Sequence, residues 1–118
     1  LLHLLSAAGW RFSGGGRLST TEQLERLLAA RLHLPWTQTQ AAAELGISDS
    51  TLKRRLRAGQ TSFACLLRQL RMETALFLLM SSTRPIGEIA AACGYQSGGH
   101  FAAAFKQQFG FLPSRLRA

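Results

Sequence analysis

Two stretches of the sequence decide the fold: TQTQAAAELGISDSTLKRRLR at residues 37–57 and PIGEIAAACGYQSGGHFAAAFKQQF at residues 85–109. Each reads as a short helix, a turn with a glycine, a capping serine and a second helix. The equivalent glycines, Gly46 and Gly94, suit left-handed turn positions because glycine has no side chain to clash there. Each stretch therefore predicts a helix-turn-helix. Two copies, offset by about 48 residues, are much stronger evidence than one.

A long helix is predicted between the two copies, from about Thr61 to Ser81. Its apolar stripe at helical spacing consists of Phe63, Leu66, Leu67, Leu70, Thr74, Phe77 and Leu78. Roughly 20 helical residues span about 30 Å, close to the ~34 Å that separates recognition helices on one face of B-DNA. No segment alternates with a period of two. The sequence therefore predicts an all-α fold of about seven helices, with two helix-turn-helix subdomains joined by a long linker helix.

The predicted boundaries are residues 1–19, 20–60, 61–82 and 83–118. The first range holds the tail of an upstream regulatory domain, at Leu1–Ala8, and a flexible linker over 13–16. The second and fourth are the helix-turn-helix subdomains, and the third is the linker helix. Thr20 with Gln23, and Thr37 with Gln40, match the capping-box pattern and predict two helix starts.

Charge favours a polyanionic partner. The 118 residues carry a net charge of +8, and residues 34–118 hold ten Lys or Arg against four acids, a net +6. Nucleic acid is the first candidate for such a domain. A ribosomal protein, a membrane-surface protein and a basic domain with an acidic partner region remain alternatives at this point.

Catalytic, metal and membrane classes have little support in the sequence. It lacks a paired-carboxylate or Ser/His/Asp arrangement, a phosphate-binding glycine loop and a clustered metal-ligand set. We therefore expect a non-enzyme with no cofactor and no metal. No stretch approaches the ~20 apolar residues of a membrane span. Cys65 and Cys93 are expected to be buried free thiols in a reducing cytoplasm.

The predicted recognition helices, 49–57 and 98–109, present unequal outward faces. On the first, the candidates for base contacts are Ser50, Thr51, Lys53 and Arg54, because Arg can bond guanine with both arms and hydroxyls reach several base edges. The candidates for backbone contacts are Thr37, Ser48, Arg57, Ser97, Gly99, His100 and Lys106. Lys53 and Arg57 suit phosphates equally well, and an ordinary solvated charged face is the alternative. The second helix is nearly bare, so we expect it to position more than read.

The second copy also resembles a known family. Ile86-x-x-Ile89-Ala90-x-x-x-Gly94-Tyr95-x-Ser97-x-x-x-Phe101-x-x-x-Phe105-x-x-x-Phe109-Gly110-x-x-Pro113-Ser114-x-x-Arg117 resembles the signature of the AraC/XylS family of bacterial transcription regulators. Ala42-x-x-x-Gly46-Ile47-Ser48-x-x-x-Leu52-x-Arg54 resembles that family's first helix-turn-helix. The resemblance implies two lobes in successive major grooves and a separate N-terminal domain for ligand sensing or dimerisation.

The resemblance further implies three outward base-contacting positions on each recognition helix. In the first copy these are Ser50, Lys53 and Arg54; in the second they are Gly98, Gly99 and Ala103. Many family members carry polar residues or Arg at the latter positions, so this chain departs from the pattern there.

The function predicted from the sequence is sequence-specific binding of double-stranded promoter DNA for transcription regulation, by an activator or a repressor. RNA polymerase is a further candidate partner, and dimerisation is assigned to the separate N-terminal domain. The alternative is a helical protein–protein interaction module that contacts RNA polymerase and binds DNA only weakly. A steep salt dependence of duplex binding distinguishes the first function from the second.

Overall fold

The computed structural model describes residues 18–117, and all regular structure within them is helical. Its elements are α1 (Thr20–Ala30), α2 (Gln38–Leu45), α3 (Asp49–Ala58), α4 (Phe63–Ser81), α5 (Ile86–Ala92), α6 (Gly98–Phe109) and a closing 3₁₀ helix (Pro113–Arg117). With no strand among the described residues, the predicted all-α class is confirmed. The predicted tail and linker before residue 18 lie outside the described residues.

The chain forms two compact units that share α4 between them. The first contains residues 18–30 and 36–67, and the second contains residues 31–35 and 68–117. In the first unit, α1, α2 and α3 contact one another. Its buried core is mainly leucine, with two alanines from α2 that let helices approach closely: Leu24, Leu28, Ala41, Ala42, Leu52, Leu56 and Leu66.

The core of the second unit is aromatic. Phe101 and Phe105 of α6 are both fully buried, and their ring centroids lie 5.9 Å apart. Phe109 and Phe111 bring their rings to 4.6 and 5.8 Å from Phe105 in tilted and edge-on geometry, which aromatic pairs prefer. The aliphatic part of this core comes from α4 and α5: Met72, Ala75, Leu79, Ile89, Ala90 and Cys93. Burial here fixes which face of α6 remains exposed.

The start of α1 corrects one sequence prediction. The capping box is formed by Ser19 and Glu22: the Glu22 N–H donates to Ser19 Oγ at 3.1 Å, and the Ser19 N–H donates to Glu22 Oε1 at 2.9 Å. Thr20 and Gln23 are therefore one residue out of register. The S/T-x-x-E/Q pattern fits both pairs, but a charged Glu also interacts favourably with the helix N-terminus. The predicted Thr37 and Gln40 box is confirmed at the start of α2.

The predicted linker helix is continuous as α4, but its buried face differs in the second half. Phe63, Leu66, Leu67 and Leu70 are buried as predicted. Beyond them the buried residues are Met72, Ala75 and Leu79, whereas Phe77 is 38% exposed and Thr74 and Leu78 are only partly buried. The reason is that α4 serves two cores: residues up to Leu67 belong to the first unit and later ones to the second. A single stripe along the helix cannot face both.

Candidate nucleic-acid interface

The turn between α2 and α3 is formed by the residues that the sequence singled out. Gly46 ends α2 in the left-handed region at φ +73°, and the next N–H, of Ile47, donates to the carbonyl of Ala42 at 3.0 Å. Ser48 then caps α3, because its Oγ accepts from the Thr51 N–H at 3.1 Å. Both predictions are confirmed. The left-handed glycine reverses the chain, and the cap fixes where α3 begins.

A polar brace that the sequence reading missed joins α2 to α3. The Asp49 carboxylate accepts one hydrogen bond from Gln38 Nε2 at 2.7 Å and one from Thr39 Oγ1 at 3.0 Å. These are charge-assisted bonds and hold the first turn of α3 against the first turn of α2. On the same helix, Arg55 donates to Thr20 Oγ1 of α1 at 3.2 Å. Asp49 at a helix start was visible in the sequence, but its partners, 10 and 11 residues away, were not.

The outward face of α3 contains the predicted candidates. Leu52 and Leu56 are buried, whereas Ser50, Lys53, Arg54 and Arg57 are exposed. The side chains of Lys53, Arg54 and Arg57 have no hydrogen bond or ion pair with any residue among 18–117. Their charges are therefore available to a partner.

The remaining candidates of the first unit hold the helix starts. Thr51 is partly buried, and its Oγ1 accepts from Ser48 Oγ at 2.8 Å, so both hydroxyls belong to the α3 cap. Thr37 is exposed, and its Oγ1 accepts from the Gln40 N–H at 3.1 Å. Each hydroxyl keeps further hydrogen-bonding capacity, but its position is set by the helix that it caps.

A cavity of about 90 Å³ lies beside the same face of α3. Its lining comes from the start of α2, the second half of α3 and the residues at the start of α4: Gln38, Lys53, Leu56, Arg57, Thr61, Ser62 and Phe63. The structure thus brings Lys53 and Arg57 together at one concavity, on the side of α3 that faces the start of α4.

The second helix-turn-helix repeats the backbone geometry with different surface chemistry. Gly94 has φ +92°, and Ser97 Oγ accepts from the His100 N–H at 3.1 Å, which confirms the predicted cap of α6. The exposed residues of this helix include Gly98, Gly99, His100, Ala103 and Lys106. A Cβ built on Gly98 or Gly99 meets no atom within 4 Å. The bare start of α6 is therefore open surface, and packing does not require its glycines.

Arg71 organises the turn of the second copy, and the sequence reading missed it. Its Nη2 donates to the carbonyls of Leu34 at 2.8 Å and Leu32 at 3.5 Å. Its guanidinium lies 5.8 Å from the centroid of the Tyr95 ring, and a Cβ on Gly94 would come within 2.7 Å of it. A side chain at position 94 would therefore force the Arg71 guanidinium to shift, in addition to straining the left-handed backbone.

Burial is the main cause of the pKa shifts of Arg71, Cys93 and Tyr95. It lowers the pKa of Arg71, and the neighbouring Tyr95 and Cys93 oppose that change. It raises the pKa of Cys93 to about 11 and also raises the pKa of Tyr95. The Cys93 thiol is thus kept neutral at physiological pH, as expected for a buried structural cysteine. The expectation that both cysteines are buried is wrong for Cys65, which is exposed on the outer side of α4.

The described part of the chain has neither a metal-binding cluster nor a helix that could span a membrane. Residues 18–117 contain no group of three or more His, Cys, Asp or Glu side chains placed to hold a metal ion. None of the helices in that range has the length and apolar character needed to cross a membrane.

Comparison with known proteins identifies the family. The model of a family described as "Helix-turn-helix domain" matches residues 41–118. Transcriptional regulator SirC of Salmonella typhimurium (strain SL1344) is 33% identical over 97 residues, which cover 82% of this chain and 33% of SirC. A solved regulator from Chromobacterium violaceum, described as AraC-type, has a TM-score of 0.77 at 26% identity, over 83% of this chain and 88% of that one. This chain belongs to the AraC/XylS family of bacterial transcription regulators.

The AraC/XylS assignment makes the described helices a DNA-binding domain for transcription regulation. The DNA-binding domain of AdpA, a global transcriptional factor solved in complex with a target DNA, matches with a TM-score of 0.76 and 25% identity, over 85% of this chain and 91% of that one. The chain spans about a third of the length of the curated relatives it matches.

Proposed function

We propose that this domain binds double-stranded promoter DNA sequence-specifically, with α3 and α6 in successive major grooves, to activate or repress transcription. The observation that carries the proposal is the outward face of α3. It presents exposed Ser50 and Arg54 on a helix fixed by the Ser48 cap and the Asp49 brace. Precise placement of a few side chains is what base readout needs. The AdpA domain, solved with its target DNA, supports the same use of the fold.

The roles of individual residues in the first unit follow from their positions. We assign base contacts to Ser50, Thr51 and Arg54. Ser50 and Arg54 are exposed, and the Arg54 side chain has no partner among residues 18–117. The Thr51 hydroxyl accepts from Ser48 in the cap, and its own hydrogen can still be donated. Lys53 lines the cavity instead. Thr37 and Ser48 stand at the starts of α2 and α3, where free backbone amides and hydroxyls favour a phosphate.

The second unit is assigned mainly to positioning. Ser97, Gly99 and His100 lie at the start of α6, and Lys106 lies two turns further on, all of them exposed. We propose that these residues contact the DNA backbone, because the helix offers few hydrogen-bonding groups for bases. The continuous α4 has 19 residues, or about 28 Å of helix, which is close to the ~34 Å of one DNA turn.

Selection of bound duplexes from a random pool by the 118-residue chain tests the proposal. We expect an enriched site with one sharply defined half and one loosely defined half, about 10 base pairs apart. Binding to this site should weaken as the salt concentration rises. The slope of log K against log salt should be about −0.9 for each phosphate that the protein neutralises. A pool that shows no enrichment, or a flat salt response, would overturn sequence-specific DNA binding.

Dimerisation of the whole protein is a separate proposal. The chain spans a third of SirC, so we propose that dimerisation in the whole protein is carried by a separate domain. Sedimentation should then find the 118-residue chain monomeric off DNA, and a stable dimer of it would contradict this proposal. The alternative of a module that contacts RNA polymerase with weak DNA binding has no support from the comparisons.

A further inference from the structure

The cavity beside α3 has the composition of an anion site. Lys53 and Arg57 lie one helical turn apart in its lining. Both are exposed, and their side chains have no hydrogen bond or ion pair among residues 18–117. Like charges at this spacing repel and destabilise a helix. A bound anion removes that repulsion. The cavity therefore brings together two cations that nothing in the described chain neutralises.

The acid nearest in the helix is not available to these cations. Asp49 lies four residues before Lys53, but both of its carboxylate oxygens accept hydrogen bonds, from Gln38 and Thr39. The same bond orients Gln38, whose side chain lines the cavity. The brace thus holds one wall in place and keeps the carboxylate occupied elsewhere.

The rest of the lining includes the start of α4. Ser62 Oγ accepts from the Cys65 N–H at 3.2 Å, and its own hydrogen has no acceptor among residues 18–117. The Thr61 hydroxyl already donates to the Ser62 carbonyl at 3.5 Å, and Phe63 and Leu56 are the buried apolar members of the lining. The first turn of this 19-residue helix contributes the partial positive charge of a helix N-terminus. Two cations, the Ser62 hydroxyl and a helix start thus line a space of about 90 Å³.

We propose that this cavity holds one phosphate group of the DNA backbone, next to the bases that α3 reads. The inference rests on the proposed function and assigns Lys53 to a phosphate rather than to a base edge. Phosphate also occurs in small anionic molecules, which the cavity chemistry alone does not distinguish from DNA. The inference therefore requires that the phosphate belong to the duplex.

Substitution of the pair gives the first test, on the site selected by the unmodified chain. In the double variant Lys53→Gln with Arg57→Gln, the slope of log K against log salt should fall by about one unit, because one phosphate is no longer neutralised. Affinity should fall by the same factor for preferred and unrelated duplexes. Arg26→Gln is the matched control, because Arg26 is exposed on α1 of the same unit with no partner among residues 18–117. A slope change no larger than that of Arg26→Gln overturns the inference.

A neutral methylphosphonate, placed at one backbone position at a time, gives the second test. At the phosphate that the cavity holds, the methylphosphonate should weaken binding of the unmodified chain. It should leave binding of the double variant unchanged, because that variant has already lost the contact to this phosphate. Additive losses at every position overturn the inference. Thermal unfolding of the variants checks that they remain folded, and Lys53→Arg should retain the salt slope because it keeps the charge.

Inorganic phosphate distinguishes a small anion from DNA. The amide signals of residues 61–63 should shift weakly on titration, and duplex should displace the phosphate. Tight phosphate binding that duplex does not displace overturns the inference. If the unmodified chain binds no duplex at all, the proposed function fails; if it binds but the double variant behaves like Arg26→Gln, only the phosphate site fails.

Discussion

The two helix-turn-helix copies share a backbone and differ in nearly everything placed on it. Both turn through a left-handed glycine and begin the recognition helix with a serine cap. The first has a leucine core, a carboxylate brace and an outward face with three cations whose side chains have no partner among residues 18–117. The second has an aromatic core and a start of two exposed glycines. The comparison shows that one motif, once its turn is fixed, can be specialised through its core and its surface separately.

The two turn glycines should give the largest contrast in stability. Gly94→Ala should lower the free energy of unfolding by about 3 kcal/mol, and Gly46→Ala by about 1–2 kcal/mol. Both substitutions place a residue with a Cβ in the left-handed backbone region, which costs roughly 1–2 kcal/mol. Only at Gly94 would it also displace the Arg71 guanidinium from the carbonyl of Leu34. Denaturant unfolding of the two variants measures the difference, and equal losses would contradict the spatial role of Arg71.

Arg117 should be the next most important side chain for stability. Its guanidinium donates to the carbonyls of Leu79 at 3.1 Å, Ser82 at 3.1 Å and Arg84 at 2.7 Å, and so satisfies the C-terminal end of α4. Arg117→Ala should cost about 2 kcal/mol, because hydrogen bonds to charged groups contribute more than neutral ones. Arg115, exposed in the same 3₁₀ helix, is the matched control and should change unfolding by less than about 0.5 kcal/mol on substitution by Ala. Similar losses for both would rule out this role.

Arg54 and Lys106 test the difference between reading and positioning. Arg54→Ala should cost about 1–3 kcal/mol of binding on the preferred site and relax the base preference in one half-site. Lys106→Ala should weaken binding to all sequences about equally and lower the salt slope by about one unit. Titration of each variant with the selected duplex and with an unrelated one separates the two effects. A uniform loss for Arg54→Ala would move that residue to the backbone class.

The sequence was sufficient for whatever depends on local spacing. The paired turns, the serine caps and the continuity of α4 follow from glycine, serine and apolar residues at fixed offsets, and the structure confirms them. The sequence could not predict the hydrogen bonds that a side chain makes to residues distant in the chain. The partners of Asp49, Arg71 and Arg117 lie 10 to 39 residues away in the chain. No periodic pattern reports such distances.

The exposed Phe77 shows a second kind of limit. Helical periodicity finds one apolar stripe, but α4 divides its length between two cores, and Met72 and Leu79 replace the predicted Phe77 and Leu78 on the buried side. The misassigned box at Thr20 has a local cause instead. Two overlapping S/T-x-x-E/Q pairs compete at that helix start, and the one with the carboxylate forms the box.

The glycines at the start of α6 should give the smallest effect and the sharpest test of the comparison. Gly98→Ala and Gly99→Ala should each raise the free energy of unfolding by about 0.5–1 kcal/mol. Alanine reduces the conformational freedom of the unfolded chain and favours the helix, and its Cβ meets no atom within 4 Å at either position. Because folding gains from the change, any loss of DNA affinity must arise at the DNA surface. If α6 approaches the duplex closely, the added methyl groups should weaken binding of every sequence by a similar factor.

Ala103→Gly, on the same exposed face, is the control in the opposite direction: it should lower stability by about 1 kcal/mol without weakening DNA contact. Variants that are both more stable and equally tight in DNA binding would show that the bare face does not touch DNA, and the second copy would then position the domain through Lys106 and the cap residues alone.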